Sequence, residues 1–94
     1  MQRITLSDIN AVIARINRET NSPADPYVRN ADGKLVAQPG CYHLSRAYGG
    51  YSLHRMVNES GGCSDVFYCG HVPARELFNR MHAFLAGINQ ARAA

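Results

Sequence analysis

The sequence predicts an α+β fold in which an N-terminal helix, a three- to five-stranded antiparallel sheet and a C-terminal helix follow one another, both helices packed on one sheet face. Apolar residues recur at helical spacing near each end of the chain, while the middle consists of short alternating segments broken by glycine, proline, asparagine and aspartate. Length sets the scale: 94 residues with 46% hydrophobic content suffice for a single compact domain, residues 1–94, and not for two.

The first helix announces its own start. Thr5 is a good N-cap, Asp8 three residues later completes a capping box, and Ile4 is placed to staple against Ile9. Ile9, Val12, Ile13 and Ile16 then form one apolar stripe. The helix should end near Asn21, because Ser22-Pro23 and Asp25-Pro26 push the residue before each proline toward extended geometry. Next, Tyr27–Arg29 and Lys34–Ala37 flank Asn30-Ala31-Asp32-Gly33 and read as a short hairpin at a sheet edge.

The central hairpin runs from Cys41 to Val57 and turns on Gly49-Gly50, since both positions of a two-residue turn need positive φ. Counting outward pairs Tyr48 with Tyr51, Arg46 with Leu53, Leu44 with Arg55 and Tyr42 with Val57. One face then mixes those tyrosines and leucines with two arginines, and the other carries Cys41, His43, Ser45, Ala47, Ser52, His54, Met56 and Asn58. Ser64 to Cys69 supplies one further strand. Pro73 suits the first turn of a second helix, whose stripe is Leu77, Phe78, Met81, Phe84, Leu85 and Ile88.

No apolar run approaches the roughly 20 residues that span a bilayer, and the first residues lack the charged and apolar regions of a secretory signal. Three cysteines make an odd count, which fits reduced thiols better than a disulfide framework. A soluble cytoplasmic protein is therefore expected. The net charge of +3 permits an anionic partner, although the basic residues are spread along the chain.

Cys41, His43, Cys63, Cys69 and His71 are zinc-ligating types, but they lack paired knuckles, so no metal and no cofactor are expected. No Gly-x-Ser-x-Gly elbow, His-Glu-x-x-His pair or phosphate-binding glycine loop occurs, and a non-enzymatic protein is expected. The sharper anomaly is the pair of arginines on an apolar face. Burying an unpaired guanidinium is costly, so Arg46 and Arg55 must reach the rim or meet an anion. Tyr48 and Tyr51 either cover the hairpin end or stack on a ligand. The candidate binding residues are accordingly Arg46, Tyr48, Tyr51 and Arg55. Their partner would be a host protein or an anionic small molecule, with nucleic acid as the alternative. A second copy of the chain is the partner expected if the second helix keeps its stripe exposed.

The run YHLSRAYGGYSLHRMVNESGGCSDVF, with CGHVPARELFNRMHAFLAG after it, resembles a group of small proteins encoded by tailed phages and prophages of Gram-negative bacteria. The similarity extends over roughly residues 8 to 88. Its motifs carry no catalytic residue across. The resemblance implies a stoichiometric binder in the host cytoplasm that interferes with a host process. Anti-CRISPR proteins and sponges of nucleotide signals are classes of that style. The helix-strands-helix order also resembles the double-stranded RNA-binding domain in topology, but Pro73-Ala74-Arg75-Glu76 lacks that family's basic cluster.

Overall fold

The computed structural model describes residues 3–93, as helix α1 (Leu6–Glu19), strands β1 (Tyr27–Arg29), β2 (Leu35–Ala37), β3 (Tyr42–Ala47), β4 (Gly50–Met56) and β5 (Cys63–Asp65), and helix α2 (Ala74–Ala93). The five strands divide into two antiparallel sheets, a β1-β2 hairpin and a three-stranded sheet in the order β3-β4-β5. Among the described residues no helix is long and apolar enough to cross a membrane.

α1 begins where the capping box lies. Asp8 N–H donates to Thr5 Oγ1 at 3.1 Å, and Thr5 N–H donates back to Asp8 Oδ2 at 2.9 Å. Asn21, at φ 54°, ends it, with Ser22 N–H reaching the Asn17 carbonyl at 2.8 Å. The stripe Ile9, Val12, Ile13, Ile16 is buried and meets Leu77, Met81 and Leu85 of α2 above Leu53 of β4. Both helices therefore cover the sheet face that carries Leu44 and Leu53. At its margin, Phe84 sets its ring edge against Tyr42 and Phe67, at centroid separations of 5.8 and 5.7 Å.

The hairpin register differs from the one expected. β3 and β4 pair Tyr42 with Arg55, Leu44 with Leu53, Arg46 with Tyr51 and Ala47 with Gly50, which moves the turn to Tyr48-Gly49. Both turn residues have positive φ, 54° and 73°. Gly50 is needed elsewhere. A Cβ there would lie 3.0 Å from the His71 carbonyl carbon and 3.1 Å from Val72 N and O, where the chain returns to β4 and exchanges two hydrogen bonds between Tyr51 and Val72. Since the register slips by an even number of residues, the paired strand side chains keep their expected faces, whereas Tyr48, now in the turn, sets its ring against His71.

The third strand is shorter than expected, because Asp65 draws the chain into a loop. Its carboxylate accepts from Phe67 N–H at 3.2 Å and Gly70 N–H at 2.8 Å, so the backbone there bonds to a side chain instead of a ladder. The β1-β2 hairpin forms where expected, but as a separate two-stranded sheet and not at the edge of the main one, and it is mostly exposed. It is tied down by the small cluster Ala37, Cys41 and Met56, and by Ala37 N–H on the Glu59 carbonyl.

One buried polar side chain joins helix to sheet. The Asn17 amide is 3% exposed; its Nδ2 donates to the Tyr42 carbonyl at 3.0 Å and its Oδ1 accepts from Tyr42 N–H at 2.8 Å. It closes the outer edge of β3 as a neighbouring strand would. Asn17→Ala leaves both backbone groups without a partner, and we expect it to lower stability by about 1–3 kcal/mol. A urea midpoint equal to that of the parent would show that water replaces the amide.

Candidate functional site

Two cross-strand pairs flank Leu44 and Leu53. The Arg46 guanidinium lies over the Tyr51 ring at 5.6 Å from its centroid, and Arg55 lies over Tyr42, also at 5.6 Å. Each ring is half-buried under the helices and each guanidinium is exposed. The arginines thus reach the rim, where stacking holds them in place. Among the described residues neither forms an ion pair, whereas Arg80 binds Glu76 at 2.9 Å and Arg92 binds Glu19 at 2.7 Å.

The four residues singled out from sequence do not converge. Tyr51 and Arg55 are four positions apart on one strand, about 13 Å along it. Arg46 and Tyr51 share the turn end of the hairpin, where an open groove of about 460 Å³ is lined by Arg46, Ala47, Gly49, Gly50 and Tyr51. Tyr48 sits in the adjoining turn, 97% exposed, with its ring edge on His71 at 5.8 Å. Arg55 stands apart at the other end, close to Gly40. The expected Tyr48–Tyr51 pair is replaced by Arg46–Tyr51.

The opposite sheet face holds polar chemistry that the sequence did not assemble. His43 pairs with His54 across the strands, their rings 6.0 Å apart, and His54 lies 5.9 Å from His71. Ser45 Oγ is 2.9 Å from His71 Nε2. Burial, together with the neighbouring His54 ring, holds His43 below the ordinary histidine range, against a hydrogen bond from its ring to the Leu44 backbone. Burial acts to raise the Asp65 carboxyl, but the Gly70 and Phe67 amides, with Ser52 and His54, outweigh it and leave the group below its usual range. Ser52 Oγ is fully buried and forms no hydrogen bond of good geometry, near as it is to that carboxylate.

The cysteines divide as well. Cys41 is buried, and its thiol is pushed up by that burial and by the charge of Asp25, so it is a packing residue. Cys63 is exposed, with its sulfur 3.4 Å from His43 Nε2, and Cys69 is partly exposed. Among the described residues no group of three histidine, cysteine, aspartate or glutamate side chains is placed to hold a metal ion.

No protein-family model, no curated protein and no solved structure matches the chain.

His43 gives the site a pH signature. Its folded-state pKa is lowered, so the fold favours neutral imidazole. Stability is then full above the ordinary histidine value of about 6.5 and falls as the pH drops from there through the folded pKa. The Asp65 contribution is lost only in stronger acid, below about pH 3.9. We expect urea midpoints of the parent to decline between pH 7 and 5, and those of His43→Gln to decline less. Parallel curves would show that His43 does not contribute.

Proposed function

We propose that this chain is a non-enzymatic binding protein that captures an anionic partner at the Arg46–Tyr51 end of the β3-β4 hairpin. The observation that carries the reading is an exposed guanidinium with no carboxylate partner among the described residues, set over a tyrosine ring beside an open groove. Stacking restricts the arginine before any ligand arrives, so less side-chain freedom is lost on binding. Its N–H fork stays free to hold a phosphate or carboxylate with two hydrogen bonds. Ala47, Gly49 and Gly50 leave room next to the ring, and the groove volume of about 460 Å³ suits a nucleotide-sized group.

The resemblance to small phage proteins gives this chemistry a setting. The partner we propose is a host antiviral-defence protein, blocked at an acidic surface, or the nucleotide signal of such a system, sequestered in the host cytoplasm. Nucleic-acid binding is the second reading, favoured by the same guanidinium-on-tyrosine pairs together with the net charge of +3.

Pull-down from host lysate, with titration of nucleotides and of short single-stranded RNA, tests these readings. Arg46→Ala should weaken binding by about 10- to 100-fold, as expected for a lost hydrogen bond to a charged group. Its melting temperature should stay close to that of the parent. Arg55→Ala, at the far end of the sheet, should leave a small anion bound as before. Equal loss in both variants with a steep salt dependence would replace the groove by a polyanion-binding surface. No bound partner at low salt would end both readings.

A further inference from the structure

Cys63, the first residue of β5, lies beside Met56 of β4 on the sheet face away from the helices, and His43 of β3 reaches it from the far side of β4. With the His43 ring proton on Nδ1, three acceptors surround its sulfur: the Gly61 carbonyl at 3.3 Å, His43 Nε2 at 3.4 Å and Met56 Sδ at 3.8 Å. A thiol has one proton to donate, so at least two of these lone pairs go without it. A ring nitrogen and a thioether are thus aimed at a sulfur that cannot satisfy both, an arrangement that a cation at their centre would complete.

We propose that Cys63, His43 and Met56 form a copper(I) site. Metal–sulfur bonds of about 2.3 Å and metal–nitrogen bonds of about 2.0 Å, at angles from tetrahedral to trigonal, put sulfur and nitrogen about 3.5–3.7 Å apart and two sulfurs about 3.8–4.0 Å apart. The two separations from the Cys63 sulfur, 3.4 Å to His43 Nε2 and 3.8 Å to Met56 Sδ, lie close to those values. Thiolate and thioether are soft donors of the kind copper(I) takes, and imidazole suits copper as well. Carboxylate help is lacking, since Asp65 is engaged by the Gly70 and Phe67 amides.

The support around the three donors suits the task. Each comes from a different strand of one sheet, so their spacing is set by the ladder and not by a loop. Met56 is 1% exposed and makes a dry floor, whereas Cys63 is open to solvent and admits the ion. On binding, the Cys63 S–H bond breaks, its proton passes to water and a copper–sulfur bond forms, with the metal remaining copper(I). Uptake should therefore weaken as the pH falls.

The test is titration of the full chain with copper(I) under anaerobic, reducing conditions, in competition with a chromophoric copper(I) chelator. We expect stoichiometric uptake that Cys63→Ser abolishes and that Met56→Leu and His43→Gln each weaken by about tenfold or more. Cys63 is exposed and Met56→Leu nearly conserves volume, so both variants should keep the parent's thermal transition. Failure of the parent to take copper from the chelator would overturn the site. So would Met56→Leu and His43→Gln binding as the parent does, which would leave a lone thiol, or zinc(II) being held more tightly than copper(I).

Discussion

Burial of Leu53 beneath two helical stripes is the constraint from which the rest of the architecture follows. Neither stripe is stable in water, and a hairpin with one uncovered face is marginal alone. Once the helices cover Leu44 and Leu53, strand alternation leaves no further choice. Tyr42, Arg46, Tyr51 and Arg55 must share that face, and His43, His54, Ser45, Ser52, Met56 and Cys63 must lie on the other. The helix stripes are wide enough to bury the rings of the two tyrosines in part, and too narrow to bury the guanidiniums. Both functional readings thus rest on the width of the apolar contact: anion chemistry at the rim of the covered face, soft-metal chemistry on the uncovered one.

Helix positions, both hairpins and the division of side chains between faces were legible in the sequence because each is written in a local pattern. Thr5 and Asp8 cap α1 as their spacing predicts, and the β1-β2 hairpin forms around Asn30–Gly33. Register was not legible. Gly49-Gly50 looks like the turn, but what Gly50 must accommodate is the backbone of His71 and Val72, more than twenty residues away in sequence. Short-range turn preferences then lose to a long-range steric demand, and Tyr48 takes a left-handed conformation in place of glycine. The early end of β5 has a comparable origin, since the carboxylate of Asp65 competes with the ladder for backbone N–H groups.

The candidate sites follow the same division. Arg46 and Tyr51 could be found from sequence, because two arginines on an apolar face stand out whatever the register. Their pairing could not, and the shift sends Arg55 to a separate end with Tyr42 as its platform. His43, Met56 and Cys63 lie on three strands whose order depends on where the chain goes after the second hairpin. No spacing in the sequence signals that group, and a thioether is easily read as core. Cys41, by contrast, has the same residue type and an ordinary structural role, with the Asn17 amide and Tyr42 carbonyl around its sulfur.

The core is closed by α1 and α2, elements far apart in sequence. α1 packs on α2, and Arg92 reaches across 73 positions to the Glu19 carboxylate and carbonyl. During synthesis the first helix leaves the ribosome long before the second exists, and the sheet between them emerges with its apolar face bare. Contacts at such separation are slow to form, because the intervening loop must close before they are rewarded. The domain consequently cannot close its core until α2 has been made. Premature termination anywhere before α2 yields an α1 stripe and a hairpin with nothing to cover them, a product for proteolysis and not a smaller working protein.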